Sequence, residues 1–183
     1  MSKAIVIYTS ARGSTEQYAK WIAEELGCEA VDFSSAKVLS LYEYDCIIYG
    51  GWIRGSGIVG FDKFKKLFPK ELRERLIVFG VGVARESTEN YMQVYDINYK
   101  KFAREGAKNP KLYILSGAYD PARVEGLDKF LMGIMKKVLI SGSTPDASSE
   151  AEAMRDRIEN GVNLVDRNNI SALVAEAKSI IGV

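Results

Sequence analysis

Along the chain, short apolar runs alternate with longer stretches whose apolar residues recur every three or four positions. Ala4-Ile5-Val6-Ile7-Tyr8 has the length and β-branched content of a strand buried on both faces. Tyr18, Ala19, Ile22, Ala23 and Leu26 then share one helical face, and Gly27 is a natural terminator. Glu29 to Phe33 reads as a short second strand near an edge, and Ser34 to Leu41 as a short crossover helix. A third apolar strand, Tyr44 to Gly51, is expected to stop at Gly50-Gly51, and a loop to Gly57 follows. The next helix starts near Gly60, takes its apolar face from Phe61, Phe64, Leu67 and Phe68, and is interrupted by Pro69. Leu76 to Val83 is apolar throughout and so central in a parallel sheet. Ser87 or Thr88 caps a helix whose Tyr91, Tyr95, Tyr99 and Phe102 form an aromatic stripe, expected to serve the core. Lys111 to Ala118 is the fifth strand.

Strands alternating with helices predict an α/β fold, a doubly wound five-stranded parallel sheet in one domain spanning residues 1–183. The tail departs from simple alternation. A helical insertion after or within strand five occupies about 120–160, with Leu127, Phe130, Leu131, Ile134, Met135, Val138 and Leu139 as its apolar stripe. Ser141 to Glu150 is a polar link, Val162 to Val165 a small edge strand, and Ser171 to Ile181 the closing helix.

Composition narrows the classes. The 183 residues are 47% hydrophobic and 27% charged, which suits a globular core. No window approaches the roughly 20 apolar residues of a membrane span, and no signal-peptide pattern precedes the first strand, so the expected compartment is the cytoplasm. Lys plus Arg (25) balances Asp plus Glu (24), which gives no reason to expect a nucleic-acid partner. Histidine is absent, which removes His triads, His metal sites and His proton shuttles. Cys28 and Cys46 lack metal-site spacing. With strand one between them they lie roughly 9–10 Å apart, too far for a disulfide, and read as two buried thiols.

The turn Thr9-Ser10-Ala11-Arg12-Gly13-Ser14-Thr15 carries the chemistry. Ser14 with Gln17 three residues on suggests a capping box, so the turn ends at a helix N-terminus, where free N–H groups and the positive dipole end attract an anion. Gly13 is able to take a positive φ, the hydroxyls offer donors, and Arg12 adds a charge-assisted bond to a phosphate. No dinucleotide, Walker or paired-carboxylate pattern is present. A merely well-capped helix explains the turn about equally well.

Ser10-Ala11-Arg12-Gly13-Ser14-Thr15-Glu16 resembles the FMN-phosphate loop of the flavodoxin family, and Tyr44 to Gly50 is similar to that family's third strand. The closer likeness is to the flavodoxin-like, quinone-dependent protoporphyrinogen oxidases and their relatives. It is carried by Gly51-Trp52-Ile53-Arg54 before a Phe-rich helix, Val83-Ala84-Arg85 after strand four, and Ser116-Gly117-Ala118-Tyr119 before the 127–139 helix. The resemblance implies strand order 2-1-3-4-5, bound FMN, and cofactor contacts from Ser10, Ala11, Arg12, Gly13, Ser14, Thr15, Gly51, Trp52, Ile53, Arg54, Gly55, Val83, Ala84 and Arg85. Ala11 and Arg12 stand where flavodoxins usually carry hydroxyl residues, which gives Arg12 the compensating role. The loop after strand four lacks the usual flavin-stacking aromatic, and Trp52 is positioned to replace it by offset stacking. Gly50 and Gly51 would let backbone atoms approach the flavin.

Two functions of different class fit. One is an FMN-dependent oxidoreductase that oxidises protoporphyrinogen or a similar reduced organic substrate, with electrons passing to a quinone, the chemistry residing on the flavin and no catalytic side chain assigned. The alternative is an electron-carrier flavodoxin that serves a redox-protein partner. Carriers of that family are typically strongly acidic, whereas this chain is neutral, with Arg54, Arg85 and Arg123 near the ligand rim and suited to carboxylates. The 127–139 helix has three destinations: the sheet edge, a homodimer, or a peripheral contact at the inner face of the membrane.

Overall fold

In the computed structural model of the chain, which describes residues 3–36, 40–84, 87–99, 109–123, 130, 133–134 and 149–182, the apolar runs become parallel strands. They are β1 (Ala4–Thr9), β2 (Glu29–Asp32), β3 (Cys46–Arg54), β5 (Leu76–Gly82) and β6 (Lys111–Ser116), with a two-residue β4 (Gly57–Ile58) antiparallel to β3. The sheet order β2-β1-β3-β5-β6 is the expected 2-1-3-4-5 when the parallel strands are counted alone. Their carboxyl ends therefore lie along one edge, with the order reversing between β1 and β3.

Alternation along each strand divides the core. Val6, Tyr8, Cys46, Ile48, Phe79 and Val81 meet α1 (Ser14–Leu26) and the closing α5 (Ser171–Ile181) on one face. Ile5, Ile7, Ile47, Tyr49 and Val78 meet α2 (Phe61–Leu67) and α3 (Thr88–Tyr99) on the other. Ser87 caps α3 as expected, its hydroxyl accepting from the Asn90 N–H at 3.1 Å. The tyrosine stripe grades from buried Tyr99 through half-buried Tyr95 to exposed Tyr91, so its core role ends one turn short of the α3 N-terminus. Among the described residues no helix is long and apolar enough to cross a membrane.

Several boundaries differ from expectation for identifiable reasons. β3 does not stop at Gly50-Gly51 but runs to Arg54, because β4 returns along its end as a hairpin. The turn falls at Gly55 and Ser56, with φ of 51° and 63°, the pair of positive angles a two-residue hairpin requires. Leu67 is exposed (59%) rather than on the α2 apolar face, which is formed by Phe61, Phe64 and Phe68. Residues 33–36 form a turn and 41–43 a short 3₁₀ segment in place of the crossover helix; 37–39 lie outside the described residues. β8 (Val162–Asn163) pairs not with the main sheet but with β7 (Ala118–Tyr119), after α4 (Ser149–Asn160). Most of the 127–139 stripe, Phe102 and the link 141–148 lie outside the described residues.

Candidate functional site

Strand register places the anticipated loops side by side. Thr9 pairs with Gly51, Gly51 with Gly80, and Trp52 with Val81, so Ser10, Trp52 and Val83 emerge from adjacent strand ends. Two strand spacings, roughly 10 Å, separate the first from the last.

The turn after β1 opens α1 without a side-chain cap. The expected Ser14–Gln17 box does not form, because Gly13 is the N-cap at φ 94° and its carbonyl already accepts from the Gln17 N–H at 2.8 Å. Ser10 turns inward instead, its hydroxyl accepting from the Gly13 N–H at 3.2 Å. Ser14 and Thr15 are the first two helical residues, and Thr15 is only 2% exposed, while Ala11, Arg12 and Gly13 are exposed. A Cβ at Gly13 would meet nothing within 4 Å, so its left-handed backbone serves the open side of the turn rather than internal packing. An exposed glycine turn ahead of an uncapped helix N-terminus is the geometry that accepts an anion in place of a side-chain cap.

Thr9 has a different task. Its Oγ1 lies 2.9 Å from the Tyr49 hydroxyl, which donates to the Val59 carbonyl at 3.1 Å. Burial pushes the Tyr49 phenol up to about 12, the bond to Thr9 opposing it, so the phenol keeps its proton at neutral pH. Phe33 and Phe64 pack on its ring, at 5.9 and 4.5 Å between centroids. This hydroxyl ties the end of β1, where the Ser10–Thr15 turn begins, to the end of the β3–β4 hairpin.

The hairpin carries the remaining predicted residues. Ile53 lies over the bare backbone of β5, where a Cβ at Gly80 would stand 2.9 Å from its Cγ1 and one at Gly82 3.3 Å from its Cδ1. Trp52 and Arg54 alternate to the opposite face, the guanidinium 5.7 Å from the indole centroid. The Trp52 Nε1 is buried and makes no hydrogen bond among the described residues. The space beside Gly50 and Gly51 is filled by the protein itself. A Cβ at Gly50 would fall 2.1 Å from the Phe79 ring, and one at Gly51 2.5 Å from the Val59 carbonyl. Gly55 is an exposed turn residue, Val83 and Ala84 are half-buried past the end of β5, and Arg85 lies outside the described residues. Arg123 is exposed and paired with Asp120 at 3.3 Å, whereas Arg54 lies against Trp52 on the hairpin.

A family profile described as flavodoxin domain matches residues 5–146. The chain belongs to the flavodoxin family. Its cofactor is FMN, and the residues present fit that group: an uncapped α1 N-terminus with an open glycine turn for the phosphate, and a buried indole N–H still to be satisfied. Solved structures similar to this flavodoxin-family chain include a flavoprotein from Bacteroides uniformis ATCC 8492 at 22% identity, covering 64% of this chain and 92% of that one, TM-score 0.47. A WrbA-like flavodoxin from Agrobacterium tumefaciens is 18% identical over 55% of this chain and 71% of its own, TM-score 0.41. Oxidised flavodoxin 2 from Bacillus cereus is 20% identical over 74% and 99%, TM-score 0.39. A search of curated protein sequences gives no match.

Three contributors to the site escape the sequence reading. Tyr49 looks like any buried strand residue. Asn98 of α3, whose side chain bonds the hairpin at Ser56 and Ile58, had a signal, since an asparagine inside an otherwise apolar helical stripe is a poor helix former that calls for a partner. Arg157 of α4, whose Nη1 donates to the Val83 carbonyl at 2.6 Å, had none, because 74 residues separate the two.

Proposed function

We propose that this flavodoxin-family chain uses FMN to oxidise a reduced organic substrate, protoporphyrinogen foremost, with a quinone as the electron acceptor. The observation that carries the flavin part is the uncapped N-terminus of α1 behind left-handed Gly13, one strand away from a buried indole N–H that has no partner among the described residues. Bound there, FMN would supply the redox chemistry; Ser10 to Thr15 would hold the phosphate, and the hairpin residues Gly51 to Gly55 with Val83 and Ala84 would border the ring, the expected contact from Arg85 lying outside the described residues. A substrate of its own is favoured by Arg54, which sits on Trp52 at the rim and suits a carboxylate, and by the near-balanced charge of the chain. Chains that only carry electrons rely on a strong charge to steer them to partners, and this one lacks it. The test is anaerobic turnover of protoporphyrinogen with a quinone by the FMN-loaded protein. Turnover that falls when Arg54 is changed to Met supports an enzyme; no turnover combined with rapid electron exchange with a flavodoxin reductase supports a carrier.

A further inference from the structure

Asn98 is 4% exposed, and its side chain is engaged at both ends. Its Oδ1 accepts from the Ile58 N–H at 2.9 Å, and its Nδ2 donates to the Ser56 carbonyl at 2.9 Å and to the Val94 carbonyl of its own helix at 2.7 Å. Ser56 and Ile58 flank the return of the β3–β4 hairpin, so one amide of α3 grips both sides of that return. The Asn98 carbonyl in turn accepts from Lys65 Nζ at 2.8 Å, and Lys65 pairs with Asp62 at 2.7 Å, which links α2 to the same point. On its other side the hairpin is seated by Ile53 in the groove over Gly80 and Gly82. A two-residue β4 has too few ladder bonds to fix a hairpin by itself. The side chain of Asn98 supplies the missing donors and acceptor, and buried amides satisfied in this way specify one geometry.

We propose that Asn98 is a positioning residue for the flavin ring: it holds the hairpin so that Trp52 and Arg54 keep their place, while the phosphate turn is held by other groups. The inference rests on the FMN reading. The phosphate turn is anchored through Thr9, Tyr49 and α1, and these reach the hairpin through the Tyr49 bond to the Val59 carbonyl, not through a hydrogen bond to the Asn98 side chain. Loss of the clamp therefore weakens the ring contacts and leaves the phosphate contacts intact.

The experiment compares FMN with riboflavin, which lacks the phosphate. Asn98→Asp keeps the shape and the acceptor but removes both donors and sets a negative oxygen against two carbonyls. It is expected to raise Kd for FMN and for riboflavin by a common factor of about ten or more, since each lost buried bond is worth roughly a tenfold change. The ratio of the two affinities should stay within about twofold, whereas Thr15→Ala should lower FMN affinity and spare riboflavin. A role confined to stability would lower Tm and leave both affinities unchanged in the folded variant, which overturns the proposal. So does a loss restricted to FMN. If Asn98→Asp does not fold, amide hydrogen exchange of the wild-type protein decides: FMN should slow exchange across residues 53–58 about tenfold, and unaltered exchange there contradicts the proposal. Failure of the FMN reading itself is separate, since the wild type would then bind neither flavin.

Discussion

Gly60 caps α2 at φ 85°, and a Cβ there would stand 2.2 Å from the Tyr49 hydroxyl and 2.6 Å from Thr9 Oγ1. Gly60→Ala therefore meets two obstacles. The left-handed backbone costs an L-residue about 1–2 kcal/mol. Displacing the Tyr49 hydroxyl breaks its bonds to Thr9 and Val59 and leaves a buried polar group unsatisfied, worth about 1–3 kcal/mol. The expected loss is about 2–5 kcal/mol in urea unfolding, with FMN affinity falling too because the β1 end and the hairpin end are no longer tied. Tyr49→Phe removes the hydroxyl, the nearer of the two oxygens, and frees the Thr9 hydroxyl that it held at 2.6 Å from the new methyl to turn away. On that background Gly60→Ala should cost only about the backbone penalty of 1–2 kcal/mol, leaving a coupling between the two changes in the range of about 1–3 kcal/mol expected for groups in contact. Additivity within about 0.5 kcal/mol would refute the reasoning, because it would mean that the hydroxyl is not what the methyl meets.

Three further outcomes follow from the same structure. Gly13→Val should weaken FMN binding by denying φ 94°, and Thr15→Ala by removing a phosphate donor worth about 1.5–3 kcal/mol, or roughly 10–100-fold in Kd; isothermal titration with FMN checks both, and unchanged affinity in both would place the phosphate elsewhere. Ser56→Gly relieves the one non-glycine positive φ among the described residues, and should raise the urea midpoint by a stability gain of up to about 1 kcal/mol. Burial pushes Cys46 up to about 12 and Cys28 up to about 11, against 9.0 for an ordinary thiol, and Tyr49 up to about 12 against 10.0. The unfolded chain releases these protons first, so the contribution of these three groups to stability is level below pH 9 and falls as pH rises from 9 to 12. Urea midpoints that stay flat between pH 9 and 11 contradict this burial.

The parallel strands were legible because burial on both faces writes a continuous apolar run, and strands separated by helical periods admit few topologies. Ser171–Ile181 was readable to the residue. The end of β3 was not. Gly50 and Gly51 look like terminators, but here a glycine marks close approach, of the Phe79 ring to one and the Val59 carbonyl to the other. The turn lies later, at Gly55-Ser56, where a serine takes a left-handed angle that composition does not advertise. Ser14 and Gln17 match a capping box in spacing, yet Gly13 at positive φ starts the helix one residue earlier and leaves the N-terminus open. The Ser10–Thr15 turn thus stands out in sequence for its hydroxyls and glycine, while its missing cap is visible only in three dimensions. The groups that hold the site together, Tyr49, Asn98 and Arg157, act across 10 to 74 residues of sequence, a distance over which periodicity says nothing.

The measurement that bears most directly on this protein is flavin content after purification, followed by titration of the apoprotein with FMN. A yellow protein that releases stoichiometric FMN on denaturation, and an apoprotein that quenches FMN fluorescence to saturation, are the expected results. A colourless protein that leaves added FMN fluorescence unchanged would contradict the assignment of the Ser10–Thr15 turn as a flavin-phosphate site.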